Sequence, residues 1–389
     1  MMILNFSLDN KILDKNSSFA KRAIEYGNLV KKYIVIAPGR KNEKIELSEK
    51  VIAYGSGGNN KLMQFFKIYK SAKKLLRDEK FNVITVQDQY YLALIGLCLS
   101  KKFKIGLEIQ VHGFEKYCGL RKLITKYVLP RANSVRCVSQ RLKKQLINEF
   151  VVQEEKIIVV PIYSQLSIVN YPPATQASLL ALRAGELRIN KNKDKFVFLT
   201  VGRFVPVKNI GMQIEAMKEV AKKYPSAELW IIGDGPEKKN YELQITRPPR
   251  KSACWRCGQA NYKLQKNIKL LGWQDDLNKY YNMADVFVLS SDSEGWGMAV
   301  IEAASFGLPI IMTDVGCARE VIKDNESGII IPVGDRQKLI EAMLKIIEDE
   351  NLRKKLGENA KLAVSQLLGK EQILDLYKKS WGIALARKL

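Results

Sequence analysis

The sequence predicts an α/β protein of two doubly wound, Rossmann-like domains facing each other across a cleft. Three observations predict it. Short β-branched or apolar runs alternate with longer amphipathic patterns, the order that yields right-handed βαβ units and parallel sheets. The alternation occurs twice, separated by a break at residues 163–195 that contains Tyr171-Pro172-Pro173-Ala174 and a charged stretch at 190–195. The length of 389 residues suits two domains.

In the first series, strands are expected at residues 2–6, 33–37, 51–54, 83–86, 104–111, 134–138 and 157–160, with helices at 61–77 and 141–149. In the helix from 61, Leu62, Phe65, Phe66, Tyr69, Ala72 and Leu76 share one face, and Lys67, Lys70, Lys73, Lys74 and Arg77 lie elsewhere. Gly55-Ser56-Gly57-Gly58 lacks the Lys-Ser/Thr of a phosphate loop and reads as a strand-to-helix connection. In the second series, strands are expected at 196–201, 228–232, 268–271, 286–289, 309–313 and 328–331, and helices at 210–224, 276–283 and 336–349. Residues 371–387 read as one helix carrying Ile373, Leu374, Leu376, Tyr377 and Trp381. Residues 240–267 read as an irregular inserted surface segment, because Pro248-Pro249 interrupts any helix there. The expected organisation is a first domain over 1–165, a connection over 166–195, a second domain over 196–367, and a C-terminal helix over 368–389 packing back on the first. Ligands of such domains collect outside the carboxyl ends of the strands, so the cleft is the expected active site.

The chain carries 64 Lys and Arg against 40 Asp and Glu, a net charge of +24. Residues 1–190 hold 32 basic and 15 acidic side chains, and the remainder 32 and 25. Such a field attracts phosphorylated substrates, an anionic membrane surface or nucleic acid, and a lysine-solvated surface gives the same excess. The longest apolar run, residues 90–99, ends at Ser100-Lys101-Lys102 and falls short of the ~20 residues that span a bilayer. The N-terminus lacks the basic start and apolar core of a secretory signal, so a cytoplasmic protein with reduced thiols is expected. Of Cys98, Cys118, Cys137, Cys254, Cys257 and Cys317, only Cys254 and Cys257 form a C-x-x-C. The one histidine, His112, is distant in sequence, so no four-ligand zinc set assembles. No metal site and no cofactor are expected.

The chemistry concentrates in the second half. VGRFVPVKN (201–209) closes a strand with Gly202 and projects Arg203 and Lys208 from the following loop. Arg forks two hydrogen bonds and Lys acts as a point charge, a pairing suited to a diphosphate, or simply two solvated cations in a turn. IIGDGP (231–236) is a strand entering a glycine turn. SDSEGWGMAVIEAASFGLP (291–309) carries most: Glu294, then Gly295-Trp296-Gly297, then a helix from about Met298 in which Glu302 follows Glu294 by eight residues. The amides that open this helix suit an anion. One carboxylate lies beside them and one further along the helix. That spacing matches two sugars with phosphates between them. The alternative is that Glu294 caps the helix and Glu302 is a surface charge.

Together VGRFVPVKN, IIGDGP, LLGWQDDLNKYYNMADVFVLSS (270–291) and SDSEGWGMAVIEAASFGLPIIMTDVG resemble the nucleotide-sugar domain of the retaining GT-B glycosyltransferases of family 4, over about residues 196–360. The resemblance implies GT-B architecture. It implies that Arg203, Lys208, Gly297 and Met298 hold the donor diphosphate. It further implies that Glu294, Gly295 and Trp296 meet the transferred sugar, that Glu302 binds the ribose, and that Trp273 borders the base. Trp296 stands where the family often has Phe. EIQVHGFEKY (108–117) resembles the family's His–Gly element, which implies that His112 faces the donor sugar and shares the catalytic role with Glu294. Two features depart from the family. Its glycine-rich loop after the first strand is absent, with Ser17-Ser18 near that place. Its Pro-Asn-Gly turn reads Pro161-Ile162-Tyr163.

The implied function is metal-independent hexosyl transfer from a UDP- or GDP-sugar to a glycan or lipid-linked acceptor, with retention of anomeric configuration, in cell-surface polysaccharide or glycolipid synthesis. The basic amphipathic patterns at 61–80 and 121–131 suit peripheral attachment to the inner face of the plasma membrane or, equally, packed helices with solvated faces. The alternatives are a sugar-nucleotide 2-epimerase of the same architecture and a basic nucleic-acid-binding protein. The latter leaves the paired glutamates unexplained and lacks aromatic RNA-binding strings, so nucleic acid is not an expected partner. No G-x-G-x-x-G follows a strand, which argues against a dehydrogenase.

Overall fold

The computed structural model describes residues 1–113, 119–162, 195–246 and 266–387. The chain divides into two compact units, Met1–Pro161 with Leu368–Leu389, and Ile162–Leu367. The connection expected at 166–195 lies, but for its last residue, outside the described residues.

The first unit is an eight-stranded sheet of β1 (Met2–Phe6), β2 (Lys32–Ala37), β3 (Asn42–Ser48), β4 (Val51–Ser56), β5 (Val83–Val86), β6 (Gly106–Val111), β7 (Ser134–Cys137) and β8 (Ile157–Val159). The strand order is β3-β4-β2-β1-β5-β6-β7-β8, parallel except where β3 pairs antiparallel with β4. Edge strand β3 was not expected. It alternates exposed polar residues such as Lys44 and Glu46 with half-buried ones, so it has no apolar run to announce it. Helices α1 (Ser18–Asn28), α2 (Lys61–Asp78), α3 (Tyr91–Phe103), α4 (Gly119–Val128) and α5 (Gln140–Phe150) connect the strands. Ser17, Asn60 and Ser139 cap α1, α2 and α5 by accepting from backbone N–H groups three residues on. Helix α3 is the apolar run at 90–99; it crosses from β5 to β6 and buries Leu92, Ala93, Leu97 and Leu99.

The C-terminal helix, Lys370–Ala386, is part of this unit and lies over β6 and β7. A Cβ on Gly106 would overlap the Ala384 carbonyl, so only glycine lets helix and strand meet. The helix covers charges as well as apolar surface. Glu108 on β6 is fully buried and accepts from Thr85, from Ser380 Oγ at 2.5 Å and from Trp381 Nε1 at 3.2 Å. Arg136 Nε on β7 lies 3.5 Å from Glu108 Oε1, and its guanidinium stacks on Tyr377 at 3.6 Å. Removing one partner of a buried ion pair strands the other charge. Arg136→Met should therefore cost about 3–5 kcal/mol in urea unfolding. Adding Glu108→Gln should restore part of that loss.

The second unit is a six-stranded parallel sheet of β9 (Phe196–Val201), β10 (Ala227–Ile232), β11 (Ile268–Gly272), β12 (Val286–Leu289), β13 (Ile310–Thr313) and β14 (Gly328–Ile331), in the order β11-β10-β9-β12-β13-β14. Its helices are α6 (Ile210–Lys223), α7 (Lys238–Thr246), α8 (Asn278–Met283), α9 (Met298–Ser305), α10 (Arg336–Glu348) and α11 (Glu350–Ser365). Helix α7 corrects the expectation of an irregular segment from 240. Residues up to Thr246 are helical because Tyr241 buries its ring edge-on against Phe204, 5.4 Å between centroids. Residues 247–265 of that segment, with Cys254 and Cys257, lie outside the described residues. The strand order reverses between β9 and β12. That is the switch point where loops diverge and ligands bind, and it is where Arg203, Lys208 and Glu294 lie in the sequence.

Candidate functional site

The site of the second unit is made by the loops after β9, β10, β12 and β13. The first two are pressed backbone to backbone. A Cβ on Gly233 would overlap the Gly202 carbonyl, and one on Gly235 would lie 2.5 Å from the Phe204 oxygen. Phe204 N donates to Asp234 O at 2.8 Å and Glu237 N to Phe204 O at 3.0 Å. The glycines of IIGDGP thus permit close loop packing. Beyond Phe204, a short turn at Pro206–Lys208 and Asn209, at φ 47°, bring Lys208 back over the sheet before α6 begins.

The loop after β12 is stitched to this turn. Asp292 N donates to Val207 O at 2.8 Å, and Asn209 Nδ2 to Asp292 Oδ1 at 2.9 Å. Ser290 Oγ donates to the Lys208 and Asn209 carbonyls at 3.1 and 2.9 Å, and accepts from Gln213 Nε2 at 2.8 Å. Two segments some 86 residues apart are thereby locked together, and Lys208 Nζ meets Glu294 Oε1 at 2.5 Å. Ser291 Oγ donates to the same oxygen at 2.7 Å. The Glu294 side chain is 8% exposed.

Helix α9 starts at Met298 after Gly297, at φ 94°, with no side chain capping it. Glu294 therefore does not serve as the cap, because its carboxylate is taken by Lys208 and Ser291. The uncapped first turn keeps the electrostatic character of an anion site. Trp296 is 2% exposed, and its indole Nε1 has no hydrogen-bond partner among the described residues. It presents backbone to the site, and its carbonyl accepts from Cys317 N at 2.8 Å. Gly316, at φ 57°, backs the loop: a Cβ there would lie 2.6 Å from the Trp296 oxygen and 2.9 Å from Glu294 Cβ.

Glu302 is half-buried on α9 and accepts from Tyr281 OH of α8 at 3.0 Å. Burial and the adjacent Glu302 push the Tyr281 phenol pKa up, so it is a fixed donor at neutral pH. Arg203 is exposed and makes no ion pair among the described residues. Trp273 follows β11, is 67% exposed, and donates to Asp275 Oδ1 at 3.0 Å. Gly295 and Met298 are half-buried in the same loop–helix corner. Among the described residues no group of three or more His, Cys, Asp or Glu could hold a metal ion.

In the first unit His112 sits one residue past β6, and Gln89 Nε2, past β5, donates to the Gly113 carbonyl at 2.6 Å. The surrounding chain and the cations Arg136 and Arg22 push the His112 pKa down. Solvent reaches the ring, so desolvation counts for less than full burial would give. Both cations act in the same direction, and His112 is uncharged at neutral pH.

Sequence reasoning missed Ser291, Tyr281 and Gly316. Ser291 stands three residues before a Glu, the spacing of a helix capping box, so its local pattern does not mark it as a site residue. Tyr281 reads as an ordinary apolar helix position.

The site of the second unit sets Lys208 and an uncapped helix start beside one carboxylate, with a second carboxylate further along the same helix. Comparison with known proteins gives its class. Residues 195–349 match the family model described as Glycosyl transferases group 1, and residues 31–162 match that of Glycosyltransferase Family 4. The UDP-Gal:alpha-D-GlcNAc-diphosphoundecaprenol alpha-1,3-galactosyltransferase of Escherichia coli is 26% identical over 307 residues, covering 76% of this chain and 73% of that one. The alpha-monoglucosyldiacylglycerol synthase of Acholeplasma laidlawii is 25% identical, covering 82% and 78%. Among solved structures, sucrose-phosphate synthase from Thermosynechococcus elongatus superposes with a TM-score of 0.75 over 98% of this chain and 99% of that one, at 19% identity. The protein is a glycosyltransferase enzyme of GT-B architecture. Within that class, the chain belongs to the family 4 type.

Gly316→Ala should displace Glu294 and the Trp296 carbonyl, lowering turnover at least about ten-fold with an unchanged circular dichroism spectrum. Tyr281→Phe removes one hydrogen bond to Glu302 and should weaken nucleotide binding about five-fold by calorimetric titration. The sole histidine should titrate below 6.5 by NMR. Because its folded pKa is lowered, it costs stability only as pH falls below the unfolded value of about 6.5.

Proposed function

We propose that this glycosyltransferase moves a hexosyl group from a UDP- or GDP-sugar to a lipid-linked or glycan acceptor hydroxyl, with retention of configuration, in polysaccharide or glycolipid synthesis. The observation that carries this reading is the convergence of Lys208, Glu294 and the uncapped start of α9, with Glu302 eight residues on. The E. coli relative is named for a UDP-sugar and a diphosphoundecaprenol-linked acceptor, and the A. laidlawii relative for a glycolipid.

In the proposed reaction the bond from the anomeric carbon to the β-phosphate oxygen breaks and its electron pair leaves with the nucleoside diphosphate. The barrier is charge separation between an oxocarbenium-like sugar and a departing anion. Arg203, Lys208 and the amides of Gly297 and Met298 stabilise the anion. Glu294, beside Gly295 and the Trp296 backbone, orients sugar hydroxyls and opposes the developing positive charge. Glu302, steadied by Tyr281, accepts from the ribose hydroxyls, and Trp273 borders the base. The acceptor oxygen attacks the face the diphosphate leaves, and its proton passes to the departing phosphate oxygen. Neutral His112 polarises or orients a sugar hydroxyl.

The first unit also supports attachment to anionic lipid. Leu62 and Phe66 on α2 are 84% and 67% exposed, and Leu120 and Leu123 on α4 are also exposed. Lys61, Lys67, Arg121, Lys122 and Lys126 stand among them. Apolar tips within a basic field suit the interface of an anionic leaflet. Among the described residues, no helix is long and apolar enough to cross a membrane.

A thermal-shift panel of UDP, GDP, ADP and their sugars tests the donor reading: one nucleotide should stabilise the protein, and Glu302→Ala should abolish that shift. Uniform silence across the panel would count against the site. Vesicles of anionic lipid should co-sediment the protein at low salt, and Leu62→Ser with Phe66→Ser should release it.

A further inference from the structure

We propose that Ser291 is a positioning residue that holds Glu294 in its working orientation while Lys208 turns to the leaving diphosphate. This rests on the reading of Glu294 as the carboxylate that meets the transferred sugar.

Glu294 Oε1 receives two donors, Lys208 Nζ at 2.5 Å and Ser291 Oγ at 2.7 Å. They differ in one respect that matters for turnover. Lys208 stands on a loop whose other cation, Arg203, is exposed, and any diphosphate bound at the start of α9 competes with Glu294 for the ammonium. A lysine ammonium is a point charge on a flexible stem and follows the stronger anion. Once it turns, one of the two ties on Oε1 is lost at the moment the carboxylate must oppose charge on the sugar.

Ser291 is not open to that competition. It is fully buried, so it reaches no ligand itself. Its backbone is fixed to the sheet: the equally buried Thr313, last residue of β13, donates from Oγ1 to the Ser291 carbonyl at 2.6 Å. From the other side, the Gly316 turn closes on Glu294, since a Cβ there would fall 2.9 Å from Glu294 Cβ and 2.6 Å from the Trp296 oxygen. Glu294 is thus braced between a buried hydroxyl and a glycine turn, both anchored at the carboxyl end of β13. Both ties meet on Oε1, which leaves Oε2 as the oxygen to present to a sugar hydroxyl. Two consequences separate this brace from general loop stability. It acts on turnover more than on nucleotide affinity, because the diphosphate contacts Lys208 and the helix start. It also follows hydrogen-bond capacity at position 291 more than its volume.

The experiment compares Ser291→Ala and Ser291→Cys with wild type in kcat, donor KM, melting temperature and the Kd of the bare nucleoside diphosphate. Glu294→Ala is measured in parallel. The expected result is a kcat about ten-fold lower or more in Ser291→Ala, an intermediate value in Ser291→Cys, and a Kd within about two-fold of wild type throughout. Unchanged kcat in Ser291→Ala, or a Kd that weakens in step with kcat, overturns the proposal. If Ser291→Ala fails to fold, Ser291→Cys and Thr313→Val decide by the same split between kcat and Kd. Should Glu294→Ala retain full turnover, the underlying assignment of Glu294 fails instead, whatever Ser291 does.

Discussion

The second unit depends on one contact between opposite charges, the ammonium of Lys208 against the carboxylate of Glu294. Both side chains are largely withdrawn from water, so each needs the other until a ligand arrives. The contact also joins the two loops that diverge at the switch point of the sheet. Around it the chain is tied by main chain and one buried hydroxyl: Asp292 N to the Val207 carbonyl, Ser290 Oγ to the Lys208 and Asn209 carbonyls, Cys317 N to the Trp296 carbonyl. A pair held by such buried ties keeps its geometry when exposed side chains around it change, which is what preorganisation asks for.

Glycine does a second kind of work here. Gly233, Gly235 and Gly316 let loop backbones approach within distances a Cβ would forbid. The glycines of IIGDGP are spacers between loops, and the uncapped amides belong to the start of α9.

Much of this was legible in the sequence. The two series of strands, and the helices from Lys61, Ile210 and Arg336, follow from β-branched runs and 3.6-residue periodicity, which report directly on burial. Lys208, Glu294 and Glu302 stood out because charged residues in strand-end loops and at eight-residue spacing are chemically conspicuous. What stayed hidden had no such signature. Strand β3 is polar on an edge, and α11 follows α10 after a single residue, Asp349, so no turn signal separates them. Ser291 and Tyr281 matter through what they touch, and tertiary contact is not written in local pattern. The helix at Lys238–Thr246 was obscured by the prolines that follow it, which limit where a helix can extend and say little about what precedes them.

The C-terminal helix carries a consequence for how the protein is made. The first unit gains Ser380 and Trp381, the donors that satisfy Glu108, only after the whole second unit has been synthesised. On a ribosome, the 206 residues from Ile162 to Leu367 take roughly ten to forty seconds to appear. Through that interval the nascent sheet holds an ion pair whose roof is missing. The lobe translated second is thus the earlier to be finished, and premature termination near the end of the message would leave the opening lobe ajar for chaperones and proteases.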